Sequence, residues 1–354
     1  MARPENAVGT IRSVEELRKA AYEIAKATLP PEQVDRNFEL TSEADRRSRE
    51  VLDHICLKQR ILHNVEPATD TEIFGQKLKT PVMIAPMARM AEWFEDGVGK
   101  MFAATQNTGS MTWIASLSKE FYAKYAQTNP TVFIMKPLAD REKVLRELKI
   151  AEQTGCVALG IDVDSGGNTG ERGGRMKPLS GGELAKIRKN LGSPFVVKGV
   201  LSTEDADTAI EAGANAIVVS NHYGTKLDSA QAPLEVLPSI MRHVKTGVEV
   251  LVDCQIRKGS DVLKVLALGG KGVLIGRPIV WAAQVGGAQG MTQLLHLITE
   301  ELRKAMLYTG TKDLKKVPRE ILVLPKDVFP DKRYGDSLFW GINQKGIAHA
   351  TEEY

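Results

Sequence analysis

No apolar run in the 354-residue chain reaches the roughly 18–20 residues needed to cross a bilayer, so no membrane-spanning segment is expected. Cysteine is scarce. Cys56, Cys156 and Cys254 are far apart and form no CxxC pair, which argues against a zinc ribbon or a disulfide framework; no metal site is expected. An excess of one charge is also missing. Lys and Arg number 47 against 44 Asp and Glu, a formal net charge of +3. That balance gives no reason to expect nucleic acid or an anionic membrane as a partner. The opening stretch MARPENAVGTIRS lacks the apolar core of a secretion signal, and a cytoplasmic location is expected. No low-complexity tract interrupts the chain.

What is present is a beat. Eight short apolar runs fall at 81–86, 111–116, 131–136, 157–162, 194–199, 215–220, 248–253 and 272–277. Each is almost continuously hydrophobic and ends in Gly, Pro or a polar residue. Strands buried on both faces of a parallel sheet read this way. Helical patterns lie between many of them. The segment 140–155 puts Val144, Leu145, Leu148 and Ala151 on one face, and Ser202 stands three residues before Asp205 in a capping arrangement. Eight strands alternating with helices predict one (β/α)8 barrel over residues 80–323 rather than a doubly wound open sheet. Residues 1–79 read as an N-terminal helical cap with a hairpin turning at Gly75, placed on the barrel bottom. Residues 324–354 read as an irregular tail rich in Pro, Gly and aromatics.

Active sites of such barrels lie at the C-terminal ends of the strands. That rule gathers Pro86, Met87, Ala88, Ser116, Lys136, Asp162, Lys198, Ser220, Asn221, His222, Asp253, Gly276 and Arg277 around one mouth. Arg257 and Arg277 follow the last two strands, where this fold commonly cradles phosphate, and each offers a forked donor. Lys198 ends an apolar strand and requires an anion there, with Asp162 and Asp253 as structural partners. His222 is a candidate general base, and Asp162 the group to orient it. The other histidines, His54, His63, His243, His296 and His349, read as packing or surface residues.

The segments VVKGVLSTEDADTAIEAGANAIVVSNH and VLVDCQIRKGSDVLKVLALGGKGVLIGRPIV, with PVMIAPMA before them, resemble the FMN-dependent 2-hydroxy-acid oxidases and dehydrogenases. The resemblance runs from about Phe74 to Leu322. It implies a TIM barrel, FMN as cofactor, a small-molecule substrate and a homo-oligomer, often a tetramer. It also implies that Pro86, Met87 and Ala88 run along the flavin and that Lys198 stabilises the anionic reduced ring. Ser220, Asp253, Gln255, Arg257, Gly276 and Arg277 would line the rest of the cofactor. His222 matches the base that takes the hydroxyl proton, and Asp162 its partner.

The substrate side departs from the family. SNHYGTKLD carries Thr225 where the family keeps an arginine that clamps the substrate carboxylate, and Tyr223 where it keeps a glycine. Lys136 replaces a substrate-facing tyrosine, Ile134 a glutamine, Ala115 a serine and Gly160 a threonine; Cys254 and Gln255 replace two glycines. Lys136, Arg89, Arg172, Lys226 and Tyr223 are therefore the candidates to meet the substrate. Oxidation of a 2-hydroxy acid, action on a non-carboxylate alcohol or carbonyl, including isomerisation, and flavin binding without turnover all remain open at this stage. A flavin-independent enzyme with a nucleophilic cysteine after the sixth strand is disfavoured, because SNHYG holds none.

Overall fold

The computed structural model describes residues 5–115, 128–167, 174–325 and 339–340. Ser116, Arg172, His349 and most of the expected tail lie outside them. Eight parallel strands close into a barrel: β1 Val82–Ile84, β2 Thr112–Ala115, β3 Thr131–Met135, β4 Ala158–Asp162, β5 Phe195–Val200, β6 Ala216–Val219, β7 Glu249–Val252 and β8 Gly272–Ile275. Each pairs with the next, and β8 returns to β1 with Val273 opposite Val82. All eight expected strands are present.

Their continuous hydrophobicity has a simple cause. Side chains alternate in and out along a strand, and here both faces are covered. Met83, Trp113, Val132, Ile134, Ala158, Val196, Val218, Leu251 and Leu274 fill the barrel interior. Val82, Ile84, Ile114, Phe133, Leu159, Val197 and Val219 face the surrounding helices. Those helices start where local chemistry satisfies their free N–H groups. In α5, Arg141–Gln153, the cap is Asp140, and in α7, Thr203–Glu211, it is Ser202, which accepts from the Asp205 N–H as expected. The last helix, α10, Arg277–Thr309, begins directly behind β8. Among the described residues no helix is long and apolar enough to cross a membrane.

The N-terminal helices are α1 Val14–Thr28, α2 Pro31–Phe38 and α3 Glu43–His54. The expectation of a cap on the barrel bottom holds for the hairpin and fails for α3. Hairpin strands Thr71–Ile73 and Gln76–Leu78 close the N-terminal end, with Ile73 and Leu78 joining the interior cluster. Helix α3 docks at the opposite end. Asn221 donates to Ser48 Oγ at 2.9 Å, Arg277 pairs with Asp45 at 2.6 Å and Arg49 pairs with Asp261 at 2.9 Å. The reason is polarity. Asp45, Ser48 and Arg49 are all buried, and buried polar groups need partners, which the loops and helix starts beyond the strands supply.

Candidate active site

The period of two that fills the interior also builds the site. Ile134, Gly160, Val196, Val218, Leu251 and Leu274 occupy inward positions, so the residues two further on form the next layer up. Those residues are Lys136, Asp162, Lys198, Ser220, Asp253 and Gly276. Asp162 and Lys198 stand directly opposite each other across β4 and β5.

Lys198 Nζ lies 3.1 Å from Asp162 Oδ1, 3.4 Å from Asp253 Oδ2 and 3.5 Å from Ser220 Oγ. Burial opposes its charge, but Asp162 and Asp253 outweigh that and hold its pKa well above the ordinary lysine value. Asp162 is held well below the usual carboxylate range: burial works against ionisation, and Lys198, His222 and Lys136 overcome it. Its Oδ2 accepts from Lys136 Nζ and, at 2.9 Å, from Ser165 Oγ.

His222 opens the loop after β6. Its backbone and that of Tyr223 are both left-handed, with φ of 51° and 58°. Nδ1 lies 3.1 and 3.2 Å from the two oxygens of Asp164, but 3.7 Å from Asp162 Oδ1. The expected partner Asp162 stays within ion-pair reach, while its oxygens also accept from Lys198, Lys136 and Ser165. A carboxylate only accepts, so Nδ1 is the donor to Asp164, and Nε2 has no hydrogen-bond partner among the described residues. Asp162, Asp164 and His222 bring one ligand atom each to within 4.8 Å of one another, a spacing that suits a metal ion. The Lys198 and Lys136 ammonium groups already supply the positive charge there.

Thr225 makes a turn, not a clamp: its hydroxyl donates to the His222 carbonyl at 2.7 Å. Lys226 is half-buried and has no hydrogen-bond or ion-pair partner among the described residues. Burial, then the neighbouring Lys136, lower its pKa, while Asp164 and Asp162 oppose that. It therefore faces the same mouth as His222. Arg89 lies over the Trp93 ring at 5.8 Å.

Tyr223 leaves the mouth altogether. The double left-handed turn sends its ring under Arg277, whose guanidinium carbon is 4.2 Å from the ring centroid. Its hydroxyl sits against Gly276, where an added Cβ would come within 2.1 Å of it. It lines a small pocket with Gln255, Arg257 and Arg277, on the side of the turn away from the imidazole. Arg277 bonds Asp45, and Gln255 donates to the same carboxylate. Arg257 stacks on Trp281 at 5.5 Å and has no carboxylate partner among the described residues. Burial and then Arg277, Arg49 and Arg18 push its pKa down to about 10. A half-buried guanidinium among other arginines offers forked donors suited to an anion. Pro86, Met87 and Ala88 follow β1 on the same rim.

Asp164, Ser165 and Asp45 escaped the sequence reading. The repeated acid in DVD and the lysine at 136 were the available signals.

A profile of the family described as FMN-dependent dehydrogenase matches residues 37–177 and 173–324. The chain is 31% identical over 307 residues to a 4-hydroxymandelate oxidase of Amycolatopsis orientalis, covering 75% of this chain and 86% of that protein. It is 32% identical over 326 residues to an L-lactate oxidase of Nostoc sp., covering 78% and 89%. The crystal structure of a mandelate oxidase superposes with a TM-score of 0.78 at 31% identity, over 88% of this chain and 98% of that one.

Proposed function

Because the chain belongs to the FMN-dependent dehydrogenase family, we propose that it oxidises the alcohol of a 2-hydroxy acid to the keto acid, with His222 as the base. The cofactor is FMN. One observation carries the reading of the base: the His222 ring is held at Nδ1 by a carboxylate, which leaves Nε2 to accept a proton beside the buried Lys198.

The residues fit the cofactor. Arg257 is a half-buried cation without a carboxylate partner among the described residues, which a phosphate matches, and Gly276 opens helix α10, whose N-terminus favours negative charge. Lys198, Ser220 and Asp253 meet the more interior part of the group. Bound FMN supplies the acceptor to which the hydrogen on the substrate's α-carbon passes with its electron pair. The protein does the rest. His222 Nε2 takes the hydroxyl proton, the C–O bond becomes a carbonyl, and the carboxylate beside Nδ1 stabilises the imidazolium. Lys198 stays protonated across the neutral range and places a fixed positive charge where the cofactor gains negative charge.

The substrate carboxylate goes to Lys226. Lys136 is committed to Asp162 and Ser165, and Thr225 to its own turn, so among the described residues Lys226 is the cation at the mouth without a hydrogen-bond or ion-pair partner. A Lys226→Met variant should keep bound FMN and raise the KM for 2-hydroxy acids by about 10–100-fold, the scale of a lost charge-assisted contact, with little change for neutral 2-hydroxy amides. An equal loss for acids and amides would remove Lys226 from carboxylate recognition. The reaction itself is tested with an α-deuterated 2-hydroxy acid. Slower flavin bleaching and a 2-keto acid product support it; bleaching insensitive to the label, or no keto product, contradicts it.

A further inference from the structure

We infer that Asp164, rather than Asp162, is the positioning carboxylate of the His222 base, and that Lys136 is what displaced Asp162 from that task. The inference rests on the reading of His222 as base and deepens it.

Three independent features support the exchange. The first is distance. Both Asp164 oxygens are within hydrogen-bond reach of Nδ1, at 3.1 and 3.2 Å, whereas Asp162 Oδ1 at 3.7 Å is not. The second is competition for its oxygens. Asp162 Oδ1 accepts from Lys198, and Oδ2 accepts from Lys136 and Ser165. Lys136 stands where the resemblance places a tyrosine, so one of these claims on Asp162 is particular to this chain. The third is room. The pairing of β5 with β6 is irregular between Lys198 and Val200, and Gly199 there has φ of +97°. A Cβ at residue 199 would fall 2.7–2.9 Å from Asp164 Cγ, Cβ and Oδ2. The bulge at Gly199 is the space that Asp164 occupies.

Among the described residues, the charged groups around the imidazole come from four elements. Asp162 and Asp164 come from β4 and its loop, Lys136 from the end of β3, Lys198 from β5, and Lys226 from the histidine's own loop. Asp164 is the nearest of them and the least shared, so its charge is felt most directly.

The test uses the FMN-loaded protein and NMR of its labelled histidines, with the His222 signal assigned by its loss in His222→Asn. In the wild type, His222 should be the Nδ1–H tautomer. Asp164→Asn should lower its titration midpoint by one unit or more, and Asp162→Asn by less. In a Lys136→Met background, where Asp162 is released, the Asp164→Asn shift should shrink by at least half. Gly199→Ala should reproduce the Asp164→Asn shift by excluding the carboxylate. A larger shift in Asp162→Asn than in Asp164→Asn, or no shift in Asp164→Asn, would overturn the inference. None of these readouts needs turnover. If no 2-hydroxy acid reduces the flavin, the proposed reaction fails while this assignment is still decided.

Discussion

A His222→Asn variant should bind FMN with an unchanged visible spectrum and reduce it about a thousandfold more slowly on anaerobic mixing with substrate, within the range of general-base contributions. The choice of asparagine follows from the backbone. Residue 222 has φ of 51°, a left-handed conformation that asparagine tolerates better than most non-glycine residues. The Thr225 hydroxyl bonds the carbonyl of residue 222, not its side chain, so the turn keeps that bond. The anion end, built by Arg257, Gln255 and Arg277, has no contact with the imidazole, so cofactor affinity is a control within the same experiment. Reduction at the wild-type rate in a variant that holds FMN would remove His222 from the chemistry.

The second large effect belongs to Lys198. Lys198→Met should destabilise the protein by about 3–5 kcal/mol, because breaking a buried ion pair leaves its carboxylates uncompensated. Asp162 retains Lys136, but among the described residues the Asp253 side chain keeps only its bond from the Cys254 thiol, at 2.9 Å. The sign of the pH dependence follows from the shifts. Asp162 has a depressed pKa in the folded state, so its contribution is present above the ordinary carboxylate value and is lost as pH falls through the folded value. Lys198 has a raised pKa, so its contribution is complete below the ordinary lysine value and is lost as pH rises through the folded one. The deficit of the variant should therefore be largest near neutral pH and shrink in acid, as its carboxylates become free to protonate. Denaturant unfolding at pH 7 and pH 4 measures both. An equal deficit at the two values would mean that the lysine acts through packing alone.

The barrel was legible because it obeys one rule. Strands covered on both faces must be apolar throughout, so eight such runs announce eight strands, and the period of two then places Lys136, Asp162, Lys198, Ser220 and Asp253 in one inward layer. That much of the site follows from counting along each strand. Three things did not follow. Which aspartate holds His222 depends on competition among Lys136, Lys198 and the imidazole for the same oxygens, and that competition exists only in three dimensions. Tyr223 was expected to face the substrate because it follows the base. Two successive non-glycine residues with positive φ turn it to the anion end instead, and side-chain identity gives little warning of that conformation. The charged helix α3 shows its periodicity in sequence, but not which end of the barrel it will seal. Its buried Asp45 and Arg49 decide that by the partners they require.

The departure at Thr225 gains its meaning from the same accounting. The chain lost a forked cation at the mouth, gained a lysine at 136 that turned inward to Asp162, and kept Lys226 unpaired among the described residues and half-buried. The central claim is that this lysine lets a 2-hydroxy acid still reach the base and the flavin. The most direct test is the visible spectrum of the FMN-loaded protein, mixed anaerobically with a panel of 2-hydroxy acids beside their neutral amides. Bleaching by one or more acids, at lower concentration than by the matching amide, is the result the account predicts. A flavin that stays oxidised with every acid, or is bleached equally by acid and amide, would contradict it.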